Sequence, residues 1–205
     1  TFRHVAEHSP FYRELFHGQK SAPALSTVPL VDKEVLSARN LDFLCVPRER
    51  VVEIVTTSGT TGQPLLWMLS ELDLERLAEN ERLSFNCAGL TATDTVLVAV
   101  AMDRCFMAGL AYWLGLRKLG CKIVRTGAVS PMLVLEMIER IRPTAIVGVP
   151  SFLRLVADKA RETGFDLKQS SVKKAICIGE PIRDCAFALN PSGQVIEAAW
   201  GAKVF

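Results

Sequence analysis

The run Val55-Thr56-Thr57-Ser58-Gly59-Thr60-Thr61-Gly62-Gln63-Pro64 is the stretch of this chain best equipped for chemistry. Gly59 and Gly62 enclose two threonines, and three further hydroxyl residues precede them. Glycine allows φ > 0 and close approach to a ligand, and successive backbone N–H groups in such a turn form an anion-binding concavity. Hydroxyls add donors without a fixed charge, so the loop suits the oxygens of a polyphosphate. It is not the P-loop of common NTPases, which needs G-x-x-x-x-G-K-[ST]; only two residues separate these glycines and no lysine follows. Composition alone leaves a plain Ser/Thr/Gly hairpin turn as the alternative. Apolar residues at 51–55 lead in and Pro64-Leu65-Leu66-Trp67 lead out, which predicts strand, tight loop, strand.

The elements that must position such a loop follow from periodicity. Ser9 and Pro10 predict a helix start, and Asp32 can cap a short helix. Ser70, with Asp73 three residues on, is close to a capping box for a helix to Cys87, stopped by Gly89. Apolar strands are expected at 95–101, 122–125, 145–149, 174–178 and from Ala202 onward. Helices alternate with them: 106–119 ended by Gly120, 131–141 capped by Ser130, 151–163 ended by Gly164, and one capped by Ser192 and stopped at Gly201. This alternation predicts an α/β fold, a mostly parallel, doubly wound sheet flanked by helices. Residues 1–50 read as a helical and extended lead-in, and 51–205 as the α/β part.

In open α/β sheets ligands bind beyond the carboxyl ends of the strands. Three more strand ends are therefore candidates. Asp103 and Arg104 precede Phe106, Met107, Ala108 and Gly109, where an aromatic could wall a pocket and small residues leave room for a ligand. The alternative makes Phe106 and Met107 core residues and Asp103–Arg104 a surface pair. Pro150 and Ser151 open a helix directly from a strand, Ser151 being a natural N-cap. Gly179, Glu180 and Pro181 form a turn whose exposed backbone fits a flat ring, although generic turns share this composition.

Composition narrows the classes. At 205 residues and 49% hydrophobic content the chain can bury a substantial core. A formal charge of +2, with signs interleaved, argues against nucleic-acid partners and polybasic membrane binding. No apolar run approaches a membrane span. The six cysteines lack C-x-x-C pairing, and the three histidines, His4, His8 and His17, lack metal-site spacing, so no metal ligands are predicted. A reducing, cytoplasmic setting is expected.

The T-S-G-T-T-G-x-P string resembles the phosphate loop of the adenylate-forming (acyl-CoA ligase) superfamily. His8-Ser9-Pro10-Phe11-Tyr12-Arg13, Pro29-Leu30-Val31-Asp32-Lys33, Gly179-Glu180-Pro181 and Gly201-Ala202-Lys203-Val204-Phe205 extend the resemblance to its phenylacetate-CoA ligase branch. It implies part of the large N-terminal domain of an enzyme that uses ATP and Mg²⁺ to convert a small carboxylic acid to an acyl-adenylate. Coenzyme A then displaces AMP to give a thioester.

The resemblance places Thr57, Ser58, Gly59, Thr60, Thr61 and Gly62 on the ATP phosphates, and Gly179, Glu180 and Pro181 along the adenine. It places Phe106, Met107, Ala108, Gly109, Pro150 and Ser151 around the acyl group. Phe106, Met107 and their apolar neighbours suggest an aromatic or apolar one, and Arg104 near the same mouth could recruit a second acidic function. The sequence departs from the family pattern at Leu65, Ile178, Asp103 and Arg104. The alternatives are an adenylating enzyme with another acceptor (a carrier protein or a deazaflavin coenzyme) and a short, non-catalytic nucleotide- or partner-binding homologue. Kinase-like transfer is disfavoured by the missing lysine and acidic metal motif. Homodimerisation through exposed apolar surface is a further expectation.

The family's metal-binding glutamate motif and C-terminal catalytic lysine have no counterpart in these residues, so the chain is expected to be an N-terminal piece that cannot complete adenylation alone. The check is acyl-adenylate formation by the purified chain from acid and ATP, expected to be undetectable.

Overall fold

A computed structural model describes residues 2–17, 19, 23–57 and 65–205. The chain divides into two compact units, residues 1–75 and 76–205.

In the first unit, α1 (Phe2–His8) and α2 (Pro10–Leu15) meet at Ser9. Ser9 Oγ accepts the Tyr12 amide at 3.3 Å and donates to the Asp42 carbonyl at 2.7 Å, so this fully buried hydroxyl is satisfied as the expected N-cap. Helix α3 (Lys33–Ala38) begins under Asp32, whose Oδ1 takes the Val35 amide at 2.8 Å. Strands β1 (Val51–Thr56) and β2 (Leu66–Ser70) form an antiparallel hairpin, with a register shift between Val51 and Glu53. Helix α4 (Glu71–Cys87) starts with the expected reciprocal cap: the Ser70 amide donates to Asp73 Oδ2 at 2.9 Å and the Asp73 amide to Ser70 Oγ at 3.4 Å.

The second unit alternates strand and helix: β3 (Thr95–Ala99), α5 (Met107–Leu119), β4 (Lys122–Arg125), α6 (Pro131–Ile141), β5 (Ala145–Gly148), α7 (Pro150–Thr163), β6 (Lys174–Cys177), α8 (Pro191–Trp200) and β7 (Lys203–Val204). All five strands are parallel, in the order β4-β3-β5-β6-β7. Strand β3 is shorter than expected: its last partners are Arg125 and Gly148, so Val100 and Ala101 leave the ladder.

Alternate β3 residues feed two cores. Leu97 and Ala99 pack with Val134, Ile138, Leu153, Val156, Ile196 and Trp200 beneath α6, α7 and α8. Val96, Val98 and Val100 pack with Phe85 and Leu116 from α4 and α5. The sheet is thus covered on both faces and doubly wound, as the strands' lack of polar alternation predicts. Gly120, Gly164 and Gly201 end α5, α7 and α8 with φ of 90°, 75° and 59°, the left-handed caps that favour glycine. One cap differs from expectation. Helix α8 is capped by Asn190, whose Oδ1 takes the Gly193 amide at 3.0 Å, because Pro191 supplies the preset first helical φ; Ser192 lies inside the first turn.

The amino ends of β3, β5 and β6 meet at Asp94, only 6% exposed. Its Oδ1 takes the Thr144 hydroxyl at 2.6 Å, and its Oδ2 takes the Thr91 amide at 2.8 Å and Lys174 Nζ at 3.1 Å. Lys174 Nζ also donates to the Gly89 carbonyl at 2.7 Å. Burial pushes the Asp94 carboxyl up, but the bonds from Thr144, Thr91 and Lys174 outweigh it and hold the group below its ordinary 3.8.

A depressed folded pKa stabilises at pH above the unfolded value, and that contribution is lost as pH falls through the folded one. Asp94→Ala is expected to cost about 3 kcal/mol at pH 7, because it strands a partly buried ammonium and two donors. In urea titrations the gap to the parent protein should shrink as pH drops below 3.8; a gap independent of pH would contradict the charged role.

Candidate functional site

The sheet order reverses between β3 and β5, since β4 lies to one side of β3 and β5, β6 and β7 to the other. This is the switch point at which open α/β sheets bind ligands. Three candidate segments leave the carboxyl ends of β3, β5 and β6 beside it.

After β3 the chain makes a strained loop. Arg104 and Cys105 are consecutive non-glycine residues with φ of 60° and 56°, in the left-handed region that costs an L-residue about 1–2 kcal/mol. Asp103 Oδ2 and Arg104 Nε stand 3.7 Å apart, with both side chains largely exposed; such a pair contributes little. Phe106 and Met107 are 46% and 37% exposed, so they are not the core residues that helical spacing allowed. They lie at the very start of α5, with Phe106 as an N-cap that makes no side-chain bond. Ala108 is half-buried and Gly109 buried. A Cβ on Gly109 would stand 2.1 Å from the Ala101 carbonyl oxygen. Its smallness therefore admits the chain's own backbone, not the ligand that the sequence suggested.

The segments after β5 and β6 come together. Ser151 is not the N-cap of α7. Val149 holds that position without a side-chain bond, Pro150 is the first helical residue, and Ser151 is turned to Glu180. Glu180 Oε1 accepts from Ser151 Oγ at 2.6 Å and Oε2 from the Ser151 amide at 3.0 Å. Gly179, at φ 78°, makes the turn that brings Glu180 back over the helix start. The Ile178 amide donates to the Gly148 carbonyl at 3.1 Å, extending the β5–β6 ladder to the base of this turn. Gly179, Glu180 and Pro181 are all exposed.

Asn190, which the sequence did not single out, fixes the far side: Nδ2 donates to the Pro181 carbonyl at 2.9 Å and the amide to the Ile182 carbonyl at 2.9 Å. The Asn-Pro pair at a helix start was its available signal. Burial, and then the Glu180 charge, push the neighbouring Cys177 thiol up to about 11, so it stays protonated and a poor nucleophile at neutral pH.

In the first unit the Thr57 amide donates to the Leu65 carbonyl, and the Leu65 amide to Thr57 Oγ1, both at 3.1 Å. These bonds close the hairpin at the base of the motif. Ser58, Gly59, Thr60, Thr61 and Gly62 lie outside the described residues.

Residues 12–201 match the model of the family described as AMP-binding enzyme. The chain belongs to that family. Phenylacetate-coenzyme A ligase of Aromatoleum evansii is 29% identical to this chain over 189 residues, covering 88% of this chain and 43% of the relative. The Escherichia coli (strain K12) protein of the same name is 27% identical over 190 residues, with the same coverage. Among solved structures, 2-hydroxyisobutyryl-CoA ligase in complex with 2-HIB-AMP and CoA superposes with a TM-score of 0.85 at 25% identity, over 98% of this chain and 45% of that one. The chain thus spans 43% of the length of these curated relatives.

Two substitutions test the loop after β3. Gly109→Ala forces backbone apart and is expected to destabilise by about 2–3 kcal/mol in chemical denaturation. Cys105→Gly relieves the left-handed strain and, net of the entropy glycine adds to the unfolded chain, should stabilise by about 0.5 kcal/mol. A destabilised Cys105→Gly would show that the loop carries no such strain.

Proposed function

We propose that this chain supplies part of the nucleotide and acyl sites of an AMP-forming acid–CoA ligase acting on an aromatic or apolar carboxylic acid. The observation that carries the reading is the family match, which spans both the T-S-G-T-T-G motif and the switch-point cleft. In the proposed reaction a carboxylate oxygen attacks the α-phosphorus of ATP and the bond to pyrophosphate breaks. The coenzyme A sulfur then attacks the acyl carbon and AMP leaves.

The roles proposed for the residues are those that the family resemblance implies. The loop from Thr57 through Ser58, Gly59, Thr60, Thr61 and Gly62 offers backbone and hydroxyl donors to phosphate oxygens, whose negative charge grows during the attack. The exposed turn at Gly179, Glu180 and Pro181 lies along the adenine. Phe106 and Met107, half-exposed at the cleft mouth, give the acyl group an apolar wall, and Pro150 and Ser151 border it from the next strand. Arg104, largely exposed beside them, is placed to recruit a second acidic function on the substrate.

The described residues do not fit a magnesium site here. Glu180 already accepts two bonds from Ser151, Asp103 faces Arg104, and no group of three or more His, Cys, Asp or Glu suited to a metal occurs among the described residues. No step is therefore routed through the metal. No helix among the described residues is long and apolar enough to cross a membrane.

The test uses the natural gene product with a panel of aryl, aliphatic and dicarboxylic acids, following pyrophosphate and then AMP. Acid-dependent pyrophosphate release, with AMP release on adding coenzyme A, is expected; without acid-dependent release the ligase reading fails. Arg104→Ala should raise KM for diacids about two- to fivefold, the size of one exposed ion pair, and leave monoacids unchanged. Unaltered discrimination would remove Arg104 from the specificity role.

A further inference from the structure

We propose that Glu180 is a positioning residue and not a ligand of the nucleotide: its carboxylate locks the 179–181 turn to the start of α7, while Asn190 locks the same turn to the start of α8. The consequence for nucleotide binding rests on the ligase reading above, whereas the lock itself does not.

Helix α7 begins with an unmet demand. Pro150 has no N–H, Val149 offers no side-chain cap, and the Leu153 amide already bonds the Val149 carbonyl at 3.0 Å. A helix start needs acceptors for its free amides and favours negative charge. Glu180 meets both needs from 29 residues away, through the Ser151 amide and hydroxyl together. Each carboxylate oxygen holds a donor from Ser151, and the bond to the hydroxyl, at 2.6 Å, has the length of a charge-assisted one. A carboxylate so held is poorly placed to turn toward a purine amine or a cation.

The second anchor is independent of the first. Asn190 uses Oδ1 to cap α8 and Nδ2 to hold the Pro181 carbonyl, so one amide ties the turn to the helix it caps. With the Ile178–Gly148 backbone bond, the turn is held from three sides. A flat ring resting on it meets a surface ordered in advance, which lowers the entropy cost of binding. The same lock joins the turn to Pro150 and Ser151, so the nucleotide side and the acyl side of the cleft form one body.

The experiment uses the full chain with two readouts, amide hydrogen exchange at Ser151 and calorimetric titration with AMP. Glu180→Ala should speed Ser151 exchange at least about tenfold, as expected for loss of a bond to a charged group. Ser151→Thr, which keeps both donors, should leave it within about twofold. Glu180→Ala and its double variant with Ser151→Ala should weaken AMP to a similar extent, about three- to tenfold. Ser151→Ala alone, which keeps the backbone amide bond to Oε2, should weaken it less, and Ser151→Thr should keep the parent affinity. Asn190→Ala should weaken AMP further when added to Glu180→Ala.

Unchanged Ser151 exchange in Glu180→Ala overturns the lock. Loss of AMP binding in Glu180→Ala, with full affinity in a Ser151→Ala variant whose residue 151 exchanges as fast as in Glu180→Ala, overturns the positioning role and makes Glu180 a direct ligand. If the parent chain binds no AMP, the nucleotide-site reading fails for this chain, and the exchange measurement still decides the lock. Should Glu180→Ala not fold, Glu180→Gln, which keeps one acceptor oxygen, replaces it in both readouts.

Discussion

Two parallel neighbours can be joined only by a crossover, and with L-residues that crossover is right-handed. In the second unit this constraint does most of the arranging. From β3 the chain steps outward through α5 to β4, then returns past β3 through α6 to β5 and continues in that direction through α7 and α8. Reversing direction while keeping the hand obliges α5 to pack on one face and α6, α7 and α8 on the other, as the two cores show. The segments leaving β3 and β5 therefore turn to opposite faces, and a cleft opens between neighbouring strand ends without any residue being chosen to make it.

At that end of the sheet, two helix starts and one exposed turn draw on the same groups. A helix start must satisfy its amides, and here α7 and α8 do so with residues that also hold the exposed 179–181 turn. Order in the turn is therefore a by-product of finishing two helices. The loop after β3 is different. Its two consecutive left-handed residues are held without glycine, between a strand whose ladder has ended and a helix that begins without a side-chain cap.

Much of this was legible in the residues. Strands such as Val96-Leu97-Val98, apolar on both sides, announced a covered parallel sheet, and Ser9, Asp32, Ser70, Ser130 and the helix-ending glycines marked boundaries where the structure places them. The failures have local and distant causes. Asn190 and Ser192 are both good caps, and only Pro191 between them decides the matter. Ser151 looked like its helix's own cap because the acceptor that captures it lies 29 residues on. The exposure of Phe106 and Met107 was ambiguous because helical spacing says little about a residue in the first turn. Nothing near Arg104 or Cys105 signalled φ > 0, since glycine, asparagine and aspartate are absent from those two positions.

Asp94 sits at the opposite end of the sheet from all of this. It gathers Thr91, Thr144 and Lys174, and through Lys174 the carbonyl of Gly89, where β3, β5 and β6 begin. Strand alignment is thereby set at the amino ends, by side chains that no ligand at the carboxyl ends would touch. The second unit resembles a comb clamped along its spine: the teeth are free to be recut. Exchanging one loop at the carboxyl ends for another would leave the strands in step, a separation that lets one scaffold vary that face by local edits.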